Sequence, residues 1–259
     1  MAVNYREPNI IFDGWTAPAG TGIIVTGAAS GIGAATAILA AQSGLKVAAW
    51  DMFAEGVAET IGRAGDEAGK NIKAIQADLS SDADVDRAMQ ETLAFCKPLY
   101  VANVAGPKML NTQWEFQEVV GIAVGMIHRV CKAFKATEPG EGAAICNVAA
   151  LAGVWEAGGG DPWYAAAKSG ICGYTRHQAV DLKGKIRMNC VCPGGPIHTP
   201  RNHSAVEGEF MQHLVSINPM GRPGRPEEEA AAIMFFLSPA SSYINGTILA
   251  VDGGLHLAR

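Results

Sequence analysis

The chain has 259 residues, 49% of them hydrophobic and 17% charged, with a formal net charge of −5. That balance suits one folded α/β domain and excludes a disordered chain. It also argues against a basic nucleic-acid surface, and no apolar run reaches the length needed to span a membrane.

Residues 1–20 lack a basic segment followed by an apolar run. They read as an irregular extension rather than a signal peptide, and residues 21–259 as a single domain. "GIIVTG" (22–27) predicts a buried strand, followed by a helix over 31–44 that stops at Gly44. "KVAAWD" (46–51) predicts a second strand, 54–69 a helix, and "IKAIQAD" (72–78) a third strand. Ser80 or Ser81 can cap a helix over 82–96. Strands are expected over 99–106 and 143–149, with a helix over 112–137 between them. A helix over about 162–182, a strand over 185–194, a helix over 226–238 and a strand over 247–254 complete the series. Strands alternating with helices of this length imply right-handed crossovers. The expected fold is a doubly wound parallel sheet of about seven strands with helices on both faces. Residues 195–225 read as a long irregular segment, of the kind that forms a substrate lid.

"TGAASGIG" (26–33) lies between the first strand and first helix. Gly27, Gly31 and Gly33 let the backbone approach a pyrophosphate. Around Ser30 and Ile32 the helix start offers unpaired N–H groups and a positive dipole end. Asp51 ends the second strand about twenty residues on. A carboxylate there accepts hydrogen bonds from ribose hydroxyls and repels a 2′-phosphate. Met52 and Phe53 follow it, with no nearby Arg or Lys, so NAD is expected over NADP.

Tyr164 and Lys168 stand four apart in an expected helix, so their side chains share one face. A free phenol, with a pKa of about 10, is a poor base at neutral pH, and a nearby ammonium favours the phenolate. Tyr164 can then take the proton of an alcohol as hydride leaves carbon, and return it in the reverse direction.

Six cysteines, Cys96, Cys131, Cys146, Cys172, Cys190 and Cys192, sit mostly in apolar stretches and read as reduced and buried. Cys190-Val191-Cys192 lacks zinc-finger spacing, which leaves a metal or redox pair as the lesser alternative. His203 and His213 have no ligand partners at recognisable spacing, and no metal is expected.

In this order, the motifs resemble the short-chain dehydrogenase/reductase (SDR) family over about residues 20–257. The resemblance implies a Rossmann-like fold and a homo-oligomer, a tetramer or dimer, acting on a small molecule, and the reduced cysteines point to a cytoplasmic setting. By that resemblance Asp78 contacts the adenine ring with Leu79 beside it. Asn103, Ala105 and Gly106 belong to "NVAG", where Val104 replaces the family's second Asn. Lys168 would also bond the nicotinamide ribose. Pro193, Gly194, Ile197 and Thr199 belong to "PGGPIHT", which packs on the nicotinamide and is one residue longer than usual. "SSYINGTILAVDGG" (241–254) matches the family's last strand.

Two residues of the family pattern are missing. The catalytic Ser or Thr position falls on Ala150, next to Ala149. Aligned from Trp114, the relay Asn falls on Gly121 or Ile122. Loss of one such oxygen-binding donor commonly costs about 10²–10³ in rate. Glu156, the Trp155 Nε1, Asp161 or His198 could supply the contact, or the substrate could carry its own second polar group. Glu156 and Asp161 are equally read as solvated loop residues, and His198 as a rim residue. Trp155 and Trp163 are read either as walls of an apolar substrate pocket or as core or interface aromatics. The expected function is an NAD-dependent oxidoreductase acting on a hydrophobic secondary alcohol or ketone. The alternative is an NAD-binding protein with lost or non-redox activity.

Overall fold

The computed structural model describes residues 20–106, 115–155, 161–199 and 208–258. The strands are β1 (Thr21–Thr26), β2 (Lys46–Asp51), β3 (Ile72–Gln76), β4 (Lys97–Asn103), β5 (Ala144–Val148), β6 (Arg187–Pro193) and β7 (Ile248–Val251). The helices are α1 (Gly31–Gln42), α2 (Ala54–Gly69), α3 (Asp82–Phe95), α4 (Phe116–Ala136), α5 (Pro162–Asp181), α6 (Glu209–Ile217) and α7 (Pro226–Leu237). Short 3-10 turns occupy Pro239–Ser241 and Leu255–Leu257. The extension over residues 1–19 lies outside the described residues, as do residues 107–114, 156–160 and 200–207.

All strands run parallel in the order β3-β2-β1-β4-β5-β6-β7. Strand alternation sends Ile23 and Val25 to one face and Ile24 to the other. The first face packs on α1, α2 and α7 through Ala37, Val57, Ile233 and Phe236. The second packs on α3, α4 and α5 through Val85, Phe134 and Ile171. Burying each large apolar side chain contributes about 1.5–3 kcal/mol. Trp50 of β2 is fully buried and donates from Nε1 to Thr92 Oγ1 at 2.9 Å, which ties the sheet to α3. Arg187 of β6 donates to the Phe236, Leu237 and Ser238 carbonyls and to Ser241 Oγ. It thereby satisfies carbonyls that the end of α7 leaves unpaired.

Several boundaries fall short of the sequence expectation for a common reason. β3 stops at Gln76 because the Asp78 amide turns away to donate to Asp84 Oδ2 (2.8 Å). β4 stops at Asn103 because the Val104 and Ala105 amides donate to Thr26 Oγ1 (3.0 and 3.1 Å). Side-chain acceptors take backbone donors that would otherwise extend the ladders. Ser81 caps α3 as expected, accepting from the Asp84 amide. Segment 195–225 contains a helix, α6, that was not anticipated. Leu214 is buried and Met211 and Val215 half-buried on its inner side. This short amphipathic pattern is obscured in sequence by the Gly- and Pro-rich residues around it.

Candidate active site

Going outward from β1, the strand order reverses, with β2 on one side and β4 on the other. At such a switch point the loops beyond the strands' C-terminal ends diverge and leave a crevice. The β1–α1 turn stands at this place. Gly27 and Gly31 have φ of 71° and 55°, in the left-handed region that disfavours a Cβ. A Cβ on Gly33 would overlap the Gly27 carbonyl oxygen, so α1 can start this close to the strand only with glycine there. Ser30 takes the N-cap position with its hydroxyl uncommitted to capping, and Ile32 follows in the first turn, which carries no acidic residue.

Asp51 locks this turn in place. Its Oδ2 accepts from the Ala29 amide and its Oδ1 from the Phe53 amide, both at 3.0 Å. Met52 beside it is exposed. Asp78 Oδ1 accepts from the Ser80 amide and hydroxyl, and Leu79 is buried in the core. Thr26 Oγ1 joins the end of β1 to Val104 and Ala105, so the "NVAG" segment lies beside the glycine turn. Asn103 donates to Asn147 Oδ1 at 2.9 Å, and Asn147 donates to Thr175 Oγ1 at 2.9 Å. This buried chain fastens β4, β5 and α5 to one another. Asn103 Oδ1 is buried without a hydrogen bond among the described residues.

Tyr164 and Lys168 stand on α5 as the spacing predicts, with Lys168 Nζ 5.6 Å from the Tyr164 ring centroid. Lys168 is buried and donates to the Val148 carbonyl at 3.2 Å. A Cβ on Gly106 would lie 3.7 Å from Lys168 Nζ. The α5 ammonium therefore meets the end of the β4 loop. Ser169 donates to the Gly153 carbonyl, which pins the loop after β5 to the same helix.

Segment 193–199 reaches the glycine turn at its far end. A Cβ on Gly31 would come within 3.3 Å of Thr199 Cγ2. Gly194 is required because a side chain there would strike Leu151 and Asp252. Ile197 is buried and bridges to Gly224, and the exposed His198 donates its amide to the Gly224 carbonyl at 2.9 Å. Both ends of the expected lid are thus joined, and residues 200–207 between them lie outside the described residues.

The structure brings together the glycine turn, Asp51, the "NVAG" loop, the Tyr/Lys pair and segment 193–199. The donor set fits a dinucleotide. It offers an acid-free helix start for a diphosphate, a carboxylate for ribose hydroxyls, a glycine cradle that a Cβ would fill, and an ammonium at the inner end.

Ala150 is buried just beyond β5, in a loop stitched to β6 by bonds from Ala149 N to Val191 O and from Leu151 N to Pro193 O. It offers no side-chain hydroxyl. Gly121 and Ile122 lie near the start of α4 and offer no polar side chain either. Among the suggested substitutes, Asp161 accepts from Trp163 Nε1 at 3.2 Å, and Glu156 lies outside the described residues. Trp163 is buried, edge-on to the Tyr164 ring. Trp155 is exposed and lies 5.6 Å, ring to ring, from His256. His256 was not anticipated from sequence. Asp252 holds it through contacts to its ring Nδ1 (2.7 Å) and amide (2.8 Å). The available signal was the spacing Asp252-x3-His256 next to the glycines of the last strand. Burial raises the Asp252 carboxyl, but hydrogen bonds from His256 and Gly254 outweigh it and leave the group below its ordinary value.

Cys172 of α5 lies against Cys190 and Cys192 of β6, a trio that sequence spacing did not reveal. His213 is exposed on α6, and His203 lies outside the described residues. No described helix is long and apolar enough to cross a membrane.

A family model described as Enoyl-(Acyl carrier protein) reductase matches residues 27–256. The 3-oxoacyl-(acyl-carrier-protein) reductase FabG of Chlamydia trachomatis is 32% identical over 240 residues, covering 90% of this chain and 96% of that protein. A short-chain dehydrogenase/reductase from Brucella melitensis, described as a glucose/ribitol dehydrogenase, superposes with a TM-score of 0.84 at 27% identity, over 93% of this chain and 98% of the other. A blue fluorescent protein from a metagenomic library, solved with NADPH, superposes with a TM-score of 0.79 at 30% identity, over 91% and 98%.

Proposed function

Since this chain belongs to the short-chain dehydrogenase/reductase family of oxidoreductases, we propose that it is an NAD(H)-dependent dehydrogenase or ketoreductase of a hydrophobic secondary alcohol or ketone. The observation that carries this reading is that Lys168 Nζ lies 5.6 Å from the Tyr164 ring centroid and also beside Gly106, at the end of the "NVAG" loop. The bound nicotinamide would accept or supply the hydride. Tyr164 takes the substrate hydroxyl proton in oxidation and returns it in reduction. The Lys168 ammonium favours the phenolate and would hydrogen-bond the nicotinamide ribose. A general base in this role contributes about 10²–10⁴ in rate.

Asp51 supports NAD over NADP, because a second negative charge would have to sit against its carboxylate. Asp78, Leu79, Asn103, Ala105, Pro193, Gly194, Ile197 and Thr199 complete the proposed cofactor wall, and Ala150, Trp155 and His198 the substrate side. Residues 21–259 act as one catalytic domain. The six free, buried cysteines support a reducing, cytoplasmic setting. Exposed Tyr243 and, on edge strand β7, Leu249 support self-association.

Absorbance at the reduced-nicotinamide band, followed across a panel of alcohols and ketones, tests this reading. Turnover with NAD(H) supports it. Ala150 favours a second reading, an NAD-binding protein with lost or non-redox activity. Tight NAD binding with no turnover across the panel would establish that second reading instead.

A further inference from the structure

Strand alternation points Cys190 and Cys192 to the same face of β6, with Val191 between them on the other. That face packs against α5, where Cys172 follows Lys168 by one turn. The three sulfurs all lie within 4.8 Å of one another, and Cys172 Sγ and Cys192 Sγ are 3.9 Å apart. Cys190 and Cys192 are fully buried and Cys172 is 2% exposed. We propose that Cys172, Cys190 and Cys192 form a three-sulfur site for a soft monovalent cation of the Cu(I) type.

The geometry selects this class. With metal–sulfur bonds of about 2.3 Å, three sulfurs placed symmetrically around an ion in their plane stand about 4.0 Å apart. The observed cluster is therefore close to coordination distance before any side chain moves. No His, Asp or Glu completes a fourth position among the described residues. A structural zinc site takes four protein ligands, and a catalytic one keeps a water-accessible position. Sulfurs this deeply buried offer neither. Soft thiolates in a closed three-coordinate set suit Cu(I). Each metal–sulfur bond replaces an S–H bond, and the proton passes to solvent. Lys168 and Arg176, one turn to either side of Cys172 on α5, reduce the cost of the negative charge left on the sulfurs. This site does not depend on the proposed hydride chemistry.

The test uses the full chain, reduced and freed of metal, titrated anaerobically with Cu(I) held by a competing bicinchoninate ligand. Transfer of a single equivalent is expected. Cys172→Ala and Cys192→Ala should weaken binding by more than the ~10–100-fold that loss of an outer-shell partner costs. Cys96→Ala, a buried cysteine outside the trio, should bind as the parent does. Should the trio variants fail to fold, X-ray absorption of the Cu(I)-loaded parent serves instead, with three sulfur neighbours expected. No transfer from the competitor, unchanged binding in Cys192→Ala, or nitrogen and oxygen neighbours would each overturn the proposal.

Discussion

The Asp51 carboxylate accepts a hydrogen bond from the Ala29 amide at 3.0 Å, so the residue at the end of β2 holds the glycine turn in shape. Its second oxygen accepts from the Phe53 amide, also at 3.0 Å. Asp51 therefore has two tasks, bracing the turn and, in the proposed function, receiving ribose hydroxyls. Asp51→Ala is expected to weaken NAD binding by about 1.5–3 kcal/mol, the contribution of a hydrogen bond to a charged group. It should weaken NADP binding less, because a repulsive charge is also removed. Titration with both cofactors measures this. An equal loss for the two would show that Asp51 acts only as a brace.

Gly33→Ala should abolish cofactor binding and lower stability together. Its Cβ would overlap the Gly27 carbonyl oxygen, and backbone cannot give way as a flexible side chain can. Loss of about 1–3 kcal/mol in denaturant unfolding is expected. Gly44→Ala is the informative comparison. Nothing lies within 4 Å of its Cβ, and only its φ of 84° opposes the change. It should cost about 1–2 kcal/mol and leave cofactor affinity intact.

Tyr164→Phe keeps the ring beside Lys168 and removes the proton carrier. Hydride transfer should fall by about 10²–10⁴ while cofactor binding holds. Activity equal to the parent would remove Tyr164 from the proposed mechanism. Ala150→Ser introduces the hydroxyl that the family pattern places there. It should preserve activity on simple alcohols or raise it, and a KM increase without change in kcat would mean that the small residue makes room for substrate.

Glu229 gives a pH dependence with a definite sign. It is 1% exposed near the start of α7, and its Oε2 makes no hydrogen bond among the described residues. Burial, followed by the charges of Glu228 and Asp252, pushes its carboxyl well above the ordinary value. The native state then holds a proton that the unfolded chain releases above a pH of about 4.3. That contribution is full below this value and is lost as pH rises through the native titration. The slope is at most about 1.4 kcal/mol per pH unit. Glu229→Gln should therefore gain stability relative to the parent as pH rises. Melting curves at several pH values check this, and parallel curves for the two proteins would contradict it.

Strand and helix order, the glycine turn, Asp51 and the Tyr/Lys pair are legible in the sequence because each rests on local periodicity or on a short fixed spacing. Hydrophobic runs of strand length and glycines at a turn act over a few residues, so they need no knowledge of the rest of the chain. Helix α6 was hidden because it is short, with few inward residues, and is flanked by glycines and prolines. The strands end earlier than their apolar runs because side chains capture the amides that would continue the ladders: Thr26, distant in sequence, takes those of Val104 and Ala105, and Asp84, in the next helix, takes that of Asp78.

What remains was decided by packing. Trp155 and His256 come within 5.6 Å although about a hundred residues separate them. Cys172 reaches the two β6 cysteines only once α5 lies on that strand. Asn103, Asn147 and Thr175 become one buried chain only when β4, β5 and α5 are stacked. The sequence was sufficient for a doubly wound sheet, a glycine turn after its first strand, and a Tyr/Lys pair on one helix with alanine at position 150. Only the tertiary structure set His256 against Trp155 and gathered three thiols. These contacts depend on how the sheet twists and which helix face each strand meets, and no local spacing records either.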